Sequence, residues 1–267
     1  EIQSSMDINQ GPLVKLGLFK TRNGDHLLIA IHHLVVDGVS WRILLEDIAV
    51  AYGQASSDQP IVLPLKTDSF KRWSERLVDF ADDPDMKEDR SYWMELTSEP
   101  AARLSVDWKA GECYLEDMRH WGTALSEMRT EQLLRRVNHA YNTEINDILL
   151  AALSLAVQEW SGMDEIWVQM EGHGREELFE DINLTRTVGW FTTCYPVKLA
   201  VERDKDLRYH IKHIKECLNR IPRRGIGYGL TSSHESAGER ATEGPELSFN
   251  YLGQFDGGSN ETAFEMS

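Results

Sequence analysis

The sequence has few cysteines and no long apolar segment, and both absences exclude classes of protein. Three cysteines, Cys113, Cys194 and Cys217, are spread over 267 residues, a number and spacing that exclude a disulfide scaffold and a Cys-x-x-Cys zinc site. There is no run of about 18 apolar residues and no N-terminal signal peptide. We therefore predict reduced thiols, no metal, no membrane segment and a cytoplasmic location.

Basic residues are also scarce, with 28 Lys and Arg against 44 Asp and Glu and a net charge of −16. A nucleic-acid-binding protein needs a basic face to neutralise phosphates, so nucleic acid is not expected as a partner. With 41% hydrophobic residues, the chain can bury a large core as one domain or two packed lobes. Because it begins with Glu and ends without a terminating signal, we expect a piece that is truncated at both ends.

Hydrophobic periodicity predicts strands and helices in mixed order. A hairpin is predicted around Asn23-Gly24. Helices are predicted after Ser40, at 70–80, at 87–96, from Thr130, from Thr143 and at 202–224, and strands at 166–170, within 188–199 and at 246–251. This order predicts an α/β or α+β fold with two lobes. Periodicity fails at 97–111, so we divide the lobes into residues 1–103 and 104–267.

A pair of histidines lies at the predicted strand-to-helix turn, in the run His32-His33-Leu34-Val35-Val36-Asp37-Gly38. Adjacent strand residues point to opposite faces, so only one imidazole can face a given cleft. Imidazole titrates near neutrality and suits proton transfer. The Asp37 carboxylate can hold the loop or a nearby cation, and Gly38 permits a tight turn. The residues alone leave two interpretations open, a catalytic base or two structural histidines.

This run and three later motifs resemble the epimerization domains of nonribosomal peptide synthetases. These domains belong to the condensation-domain superfamily, which includes chloramphenicol acetyltransferase-like enzymes. The first run, continued by Val39-Ser40-Trp41, is similar to the family's HHxxxDG signature. The others are Glu-Gly-His-Gly-Arg-Glu at 171–176 with 186–197, Gly-Ile-Gly-Tyr-Gly within 222–229, and Phe-Asn-Tyr-Leu-Gly-Gln-Phe at 249–255. The resemblance covers nearly the whole chain and implies two acetyltransferase-like lobes with a central cleft.

The resemblance implies an isomerase that inverts the α-carbon, L to D, of an aminoacyl or peptidyl thioester. The substrate would be tethered to the phosphopantetheine of a peptidyl carrier (thiolation) domain, normally upstream in the same synthetase, and the enzyme would need no cofactor of its own. Inversion requires proton transfers on opposite faces of the carbon. His33 and Glu171, on different lobes, fit this demand, and which of them removes the L-side proton stays open. The resemblance implies that the second histidine, His33, faces the cleft, and strand alternation would then turn His32 inward.

The resemblance also implies that Tyr251, with Asn250 as the second choice, donates a hydrogen bond to the enolate oxygen. It implies that Asp37 has a structural role and holds the histidine loop through a charged partner. A turn-capping Glu171 and a plain strand-end Tyr251 are the structural alternatives. Two rival functions remain: a condensation-type acyltransferase in which His33 activates an amine, and a catalytically silent carrier-docking domain.

Three further features carry weaker predictions. His210 and His213 are three apart on a predicted helix and could share a metal, but we favour a solvated helix face. The glycines of residues 225–229 lack the Lys-Ser of a nucleotide loop, so we interpret them as a flexible bend. The basic stretch 203–224 would suit the acidic surface of a carrier domain or the pantetheine phosphate, and an ordinary helix face explains it equally well.

Overall fold

Strands and helices alternate along the chain, as the periodicity predicts. The structure, a computed structural model, describes residues 2–22, 24–107, 114–232 and 244–253. The strands are β1 (Val14–Thr21), β2 (Gly24–Ile31), β3 (Glu165–Gly172), β4 (Thr193–Ala200) and β5 (Leu247–Phe249). The α-helices are α1 (Gly38–Ser56), α2 (Phe70–Ala81), α3 (Lys87–Leu96), α4 (Glu127–Glu131), α5 (Asn138–Tyr141), α6 (Ile145–Ser161), α7 (Leu207–Asn219) and α8 (Ile226–Ser232). The mixed α/β class is confirmed.

The predicted hairpin is present. β1 and β2 pair antiparallel, with Val14 opposite Ile31 and Thr21 opposite Gly24. Asn23, on which the predicted turn was centred, lies outside the described residues. The hairpin places residues 32 and 33 directly after a paired strand and before α1.

The helices that follow begin at polar caps. Asp37 and Ser69 precede α1 and α2, and their side chains accept hydrogen bonds from the third residue beyond them, the arrangement that satisfies free N–H groups at a helix start. The predicted helix at 87–96 coincides with α3, and the predicted helix at 70–80 is one residue shorter than α2.

Four predicted helix starts are wrong. The helix predicted after Ser40 begins at Gly38, because the Asp37 carboxylate caps its first turn. The helix predicted at 202–224 begins at Leu207, because Asp206 caps it, and ends at Asn219.

The helix assigned to Thr130 begins at Glu127, because the Ser126 hydroxyl caps its first turn. It continues from α4 through a π-helical stretch, Gln132–Val137, into α5. The helix predicted from Thr143 begins after Glu144, one residue beyond the predicted cap.

The second sheet has the strand order β4-β3-β5, with β3 and β5 parallel. Its strands pack with α3, α6 and α7 around a core of buried side chains that includes Trp93, Leu150, Val168, Leu199 and Ile214. The order of the strands brings the end of β5, near residue 250, beside the end of β3.

In the glycine-rich segment 225–229 the first two glycines are closely packed, so their interpretation as a flexible bend is wrong, whereas Gly229 is exposed and a Cβ there would meet no atom within 4 Å. Gly225 has a φ of +88°, and a Cβ there would lie 2.0 Å from the Tyr195 ring. Gly227 lies on α8, where a Cβ would be 2.6 Å from the Asp89 carboxylate. Both positions require glycine, because the side chains of Tyr195 and Asp89 occupy the space that a Cβ would need.

His210 does not lie on a solvated helix face, which corrects a second prediction. It is 2% exposed on α7, whereas His213 stacks on Tyr209 with the two rings 5.6 Å apart and nearly parallel. No group of three or more possible ligands for a metal occurs among the residues that the structure describes. Cys113 lies outside them.

The described residues pack as two compact units. The first unit comprises those within Glu1–Asp82, His173–Thr193 and Leu252–Ser267, and the second comprises those within Asp83–Gly172 and Cys194–Tyr251. The predicted lobes, 1–103 and 104–267, are continuous segments, and that boundary stays a prediction. Within the described ranges, we find no helix with the length and apolar character needed to cross a membrane.

Candidate active site

In the first unit, the two histidines follow β2 and do not lie on it. The strand ends at Ile31, and His33 begins a short 3₁₀ turn, His33–Val35. Its N-cap is His32, whose Nδ1 accepts a hydrogen bond of 3.2 Å from Leu34 N. Strand alternation therefore does not explain the two side chains. His32 caps the turn, whereas the His33 imidazole is exposed.

The carboxylate of Asp37 caps α1, the helix that follows this turn. Asp37 Oδ1 accepts a hydrogen bond of 2.7 Å from Ser40 N. Asp37 is 5% exposed, so its charge is desolvated and needs an opposite charge nearby. Arg175 supplies it: Nη2 donates to Oδ1 at 3.0 Å and to Oδ2 at 3.1 Å. Arg175 is the charged partner that the sequence analysis left unnamed.

The Arg175 guanidinium is itself buried, Nη2 also donates to Ser40 Oγ at 3.0 Å, and Nη1 is directed at backbone oxygens. Nη1 donates to Leu184 O at 3.1 Å and to Thr187 O at 2.7 Å, and the guanidinium lies 3.9 Å from the centre of the Phe191 ring. Burial lowers the pKa of Arg175, while the Asp37 carboxylate opposes this shift. Removing either charge would leave the other buried without a partner, which is the costly way to break such a pair.

In the second unit, parallel pairing brings two predicted site residues together. Met170 of β3 is opposite Phe249 of β5, so the next residues along both strands, Glu171 and Asn250, lie at the same edge of the sheet. Asn250 Nδ2 donates a hydrogen bond of 2.5 Å to Glu171 Oε2. The amide therefore orients the half-buried carboxylate.

Tyr251 follows Asn250 and is half-buried. Among the described residues, no hydrogen bond to its hydroxyl is found. The last two residues of the predicted motif, Gln254 and Phe255, lie outside the described residues. The structure thus shows a hydrogen bond between Asn250 and Glu171. Tyr251 is near them because it follows Asn250 in the sequence, and no hydrogen bond between its side chain and either residue is found among the described residues.

Cys194 on β4 is a neighbour of Glu171 that sequence reasoning did not assign to the site. Burial raises the pKa of the Cys194 thiol, the negative charge of Glu171 raises it further, and a hydrogen bond with Gln169 opposes both. A raised pKa keeps the thiol protonated at neutral pH, where it is a poor nucleophile. Cys194 therefore adds a neutral, weakly polar surface next to the carboxylate.

The structure collects the site residues into two groups, one in each unit. His32, His33, Asp37 and Gly38 lie in the first unit, and Glu171, Asn250 and Tyr251 lie in the second. Sequence reasoning missed Arg175, Ser40 and Trp190, which contact Asp37 or His33. All three residues lie within the motifs by which the sequence resembles epimerization domains, so the motifs could have indicated them.

Comparison with known proteins gives a family match over the whole chain. The family model described as "Condensation domain" matches residues 1–267. Tyrocidine synthase 2 of Brevibacillus parabrevis is 49% identical over 272 residues, covering 100% of this chain and 8% of that protein. Gramicidin S synthase 1 of Brevibacillus brevis is 50% identical over 260 residues, covering 96% of this chain and 24% of that protein.

Solved structures give the same result. The epimerization domain from the third module of tyrocidine synthetase B superposes with a TM-score of 0.87 and 50% identity, covering 96% of this chain and 59% of that domain. The first condensation domain of the calcium-dependent antibiotic synthetase superposes with a TM-score of 0.68 and 20% identity, covering 88% of this chain and 50% of that chain. These similarities confirm the predicted acetyltransferase-like α/β fold. The chain spans less than two thirds of the length of each of these proteins.

Proposed function

The chain belongs to the condensation-domain family, and we propose that within this family it is an epimerization domain. The proposed reaction inverts the α-carbon, L to D, of an aminoacyl or peptidyl thioester. The proposed substrate is carried on the phosphopantetheine arm of a peptidyl carrier domain, upstream in the same synthetase. The protein requires no cofactor of its own in this proposal.

The observation that carries the proposal is the contact between Glu171 and Asn250. Both residues belong to motifs that resemble those of epimerization domains, and the Glu-Gly-His-Gly-Arg-Glu run is the one that a peptide-bond-forming domain does not share. The hydrogen bond of 2.5 Å between them holds a carboxylate at the end of β3. The 50% identity to a solved epimerization domain supports the same assignment.

The reaction needs two proton transfers and stabilisation of one oxygen. A base removes the α-proton, the electrons move into the thioester carbonyl to give an enolate, and an acid returns a proton to the opposite face. We assign these transfers to His33 and Glu171 and leave the face of each to experiment. The two residues lie in different compact units.

Tyr251 is the preferred donor to the enolate oxygen. An amide group has two N–H donors, and one of those of Asn250 is already directed at Glu171. The Tyr251 hydroxyl has no such commitment among the described residues. Stabilising developing negative charge is often a large catalytic contribution, so Tyr251→Phe separates this role from the proton transfers.

The test uses a carrier domain loaded with an L-aminoacyl or dipeptidyl pantetheine, incubated with the protein in D₂O. We expect α-deuterium incorporation and drift toward a D/L mixture. Glu171→Gln and His33→Ala should each slow exchange by about 10²- to 10⁴-fold, and each should affect one direction more than the other. Measuring exchange separately from L- and D-loaded carriers assigns the faces.

Two substitutions provide matched controls. Glu165→Gln removes an exposed carboxylate from the other end of β3, and His26→Ala removes an exposed imidazole from β2; both variants should exchange like the wild type. An amide product when an amine acceptor is added would instead identify a condensation-type acyltransferase. Carrier binding that survives loss of His33 and Glu171, without exchange in the wild type, would identify a docking domain.

A further inference from the structure

The imidazole of His33 packs against one other ring in the described part of the chain, the indole of Trp190. The two ring centroids are 5.2 Å apart and the ring planes are inclined by 59°, within the range of favourable ring pairs. No hydrogen bond to the His33 imidazole is found among the described residues. The indole is therefore the contact that restricts how this exposed imidazole can turn.

The backbone on both sides of Trp190 is hydrogen-bonded to the start of α1, the helix that follows the turn carrying the histidines. On one side, Ser40 Oγ donates to Gly189 O at 3.0 Å and accepts from Gly189 N at 3.1 Å. On the other side, Phe191 N donates to Asp37 Oδ2 at 3.2 Å. Asp37 and Ser40 are the cap and the third residue of α1, so the segment that carries the indole is tied to the start of the helix that follows the histidine turn.

Packing against neighbouring side chains also holds residues 189–191 in place. A Cβ at position 189 would lie 2.6 Å from the Phe70 ring, which only glycine avoids. The Phe191 ring packs against Phe70 at 5.0 Å and under the Arg175 guanidinium at 3.9 Å. The segment is therefore held by hydrogen bonds and by contacts with side chains that are themselves packed.

We propose that Trp190 is a positioning residue for His33 in the epimerization reaction. The inference rests on the proposed function and extends it to a residue that does not itself exchange a proton. An exposed imidazole loses reactivity when it samples several orientations, because proton transfer needs the donor and acceptor atoms within hydrogen-bond reach. Trp190 should thus affect the transfer made by His33 and not the one made by Glu171.

The test compares Trp190→Leu and Trp190→Phe with Trp160→Leu. Trp160 is a matched control, because it is 67% exposed on α6, against 42% for Trp190, and it lies in the unit that does not contain His33. Exchange is measured in D₂O from L- and D-loaded carriers separately. The imidazole resonances are recorded by ¹H–¹³C NMR, and that of His33 is assigned by its loss in His33→Ala.

His33→Ala identifies the proton transfer that depends on His33. We expect Trp190→Leu to slow this same transfer by about 10- to 100-fold, the scale set by small misplacements of a reacting group. The other direction should change much less, and the His33 resonance should shift. Trp190→Phe keeps a ring and should retain most of the activity. Trp160→Leu should match the wild type in both measurements.

Three outcomes contradict the inference. If Trp190→Leu matches Trp160→Leu in exchange and leaves the His33 resonance in place, Trp190 does not position the imidazole. If Trp190→Leu and Trp190→Phe slow both directions equally, the residue serves the fold in general. The third outcome is a wild type that exchanges no deuterium while the His33 resonance still shifts in Trp190→Leu. The contact between the two rings would then exist, but the proposed function and the catalytic role inferred from it would both be wrong.

Discussion

Gly174 has a backbone conformation that an L side chain rarely adopts, with a φ of +65°. A Cβ at this position would lie 1.6 Å from the backbone oxygen of Phe191, and a backbone atom cannot move aside as a flexible side chain can. Gly174→Ala should therefore lower the free energy of unfolding by at least about 2 kcal/mol, combining strain at positive φ with overpacking. Urea denaturation followed by circular dichroism measures the change.

Gly53→Ala is the matched control for this prediction. Gly53 lies in α1 of the same compact unit, and a Cβ there would meet no atom within 4 Å. Alanine is favoured over glycine within helices, so this variant should be more stable by about 0.5–1 kcal/mol. Equal stability of the two alanine variants would show that the close approach of Phe191 O to Gly174 is absent in solution.

Sequence motifs predicted which residues belong to the candidate site, but they did not predict which of these residues contact each other. Motif resemblance identified Asp37 as a structural residue and required a charged partner, but several arginines were available. Choosing Arg175 requires the fold, because 138 positions along the chain separate the two residues. Resemblance singled out His33, but strand alternation was the wrong explanation for the orientation of His32, since the strand ends at Ile31.

Among the elements, α6 begins with a buried carboxylate. Asp147 accepts a hydrogen bond of 2.8 Å from Glu144 N and is 6% exposed. Burial raises the pKa of Asp147, and the hydrogen bond only partly offsets this. A raised pKa in the folded state means that ionising Asp147 costs stability. Below the ordinary pKa of 3.8 the carboxyl is protonated in both states, so Asp147 costs no stability there. As the pH rises from 3.8 through the raised pKa of the folded state, the free energy of unfolding falls, and above that pKa the loss is constant.

Asp147→Asn should remove this cost, because the amide keeps an acceptor for Glu144 N and carries no charge. The amide adds an offset that does not depend on pH, so the prediction concerns the difference in unfolding free energy between variant and wild type. This difference should shift in favour of the variant between pH 4 and pH 7. Urea denaturation across this range measures it.

Asp206→Asn controls for the loss of a carboxylate at a helix start. Asp206 is exposed and caps α7 by accepting a hydrogen bond of 2.9 Å from Tyr209 N. If this variant showed the same change with pH as Asp147→Asn, burial of Asp147 would not be the cause.

Local signals predicted elements well where apolar periodicity is strong, as for α2, α3 and the hairpin. They failed where two polar residues compete to begin a helix, as for Ser126 and Thr130, because either hydroxyl can cap a first turn. They also failed for Gly225 and Gly227. A glycine required by close packing against Tyr195 and a glycine that allows bending look identical in a sequence.

At the scale of the whole molecule, the compact units combine segments that are distant in sequence. Residues 173–193 pack with the unit that contains residues 1–82, although they follow β3 of the other unit. Periodicity reports on neighbours along the chain, so it cannot show such an exchange. The Glu-Gly-His-Gly-Arg-Glu motif spans the change, with Glu171 in the second unit and Arg175 in the first.

The net charge of −16 sets a property of the whole molecule, its response to salt. Acidic groups that outnumber basic ones repel each other in the compact state, and unfolding separates them. Exposed ion pairs such as Arg72 with Asp181 weaken in salt, but each contributes only about 0–1 kcal/mol. The screening length falls from about 30 Å at 0.01 M salt to about 8 Å at 0.15 M. We therefore expect the free energy of unfolding at pH 7 to rise over this range.

The same measurement near pH 5.0, the isoelectric point of the sequence, separates the two effects of salt. There the net repulsion vanishes while ion pairs that remain charged are still screened, so the rise should disappear or reverse. Urea is uncharged and can serve as the denaturant at both pH values. A rise of equal size at pH 5.0 and pH 7 would mean that salt stabilises the protein by being excluded from its surface, and that repulsion among its carboxylates contributes little.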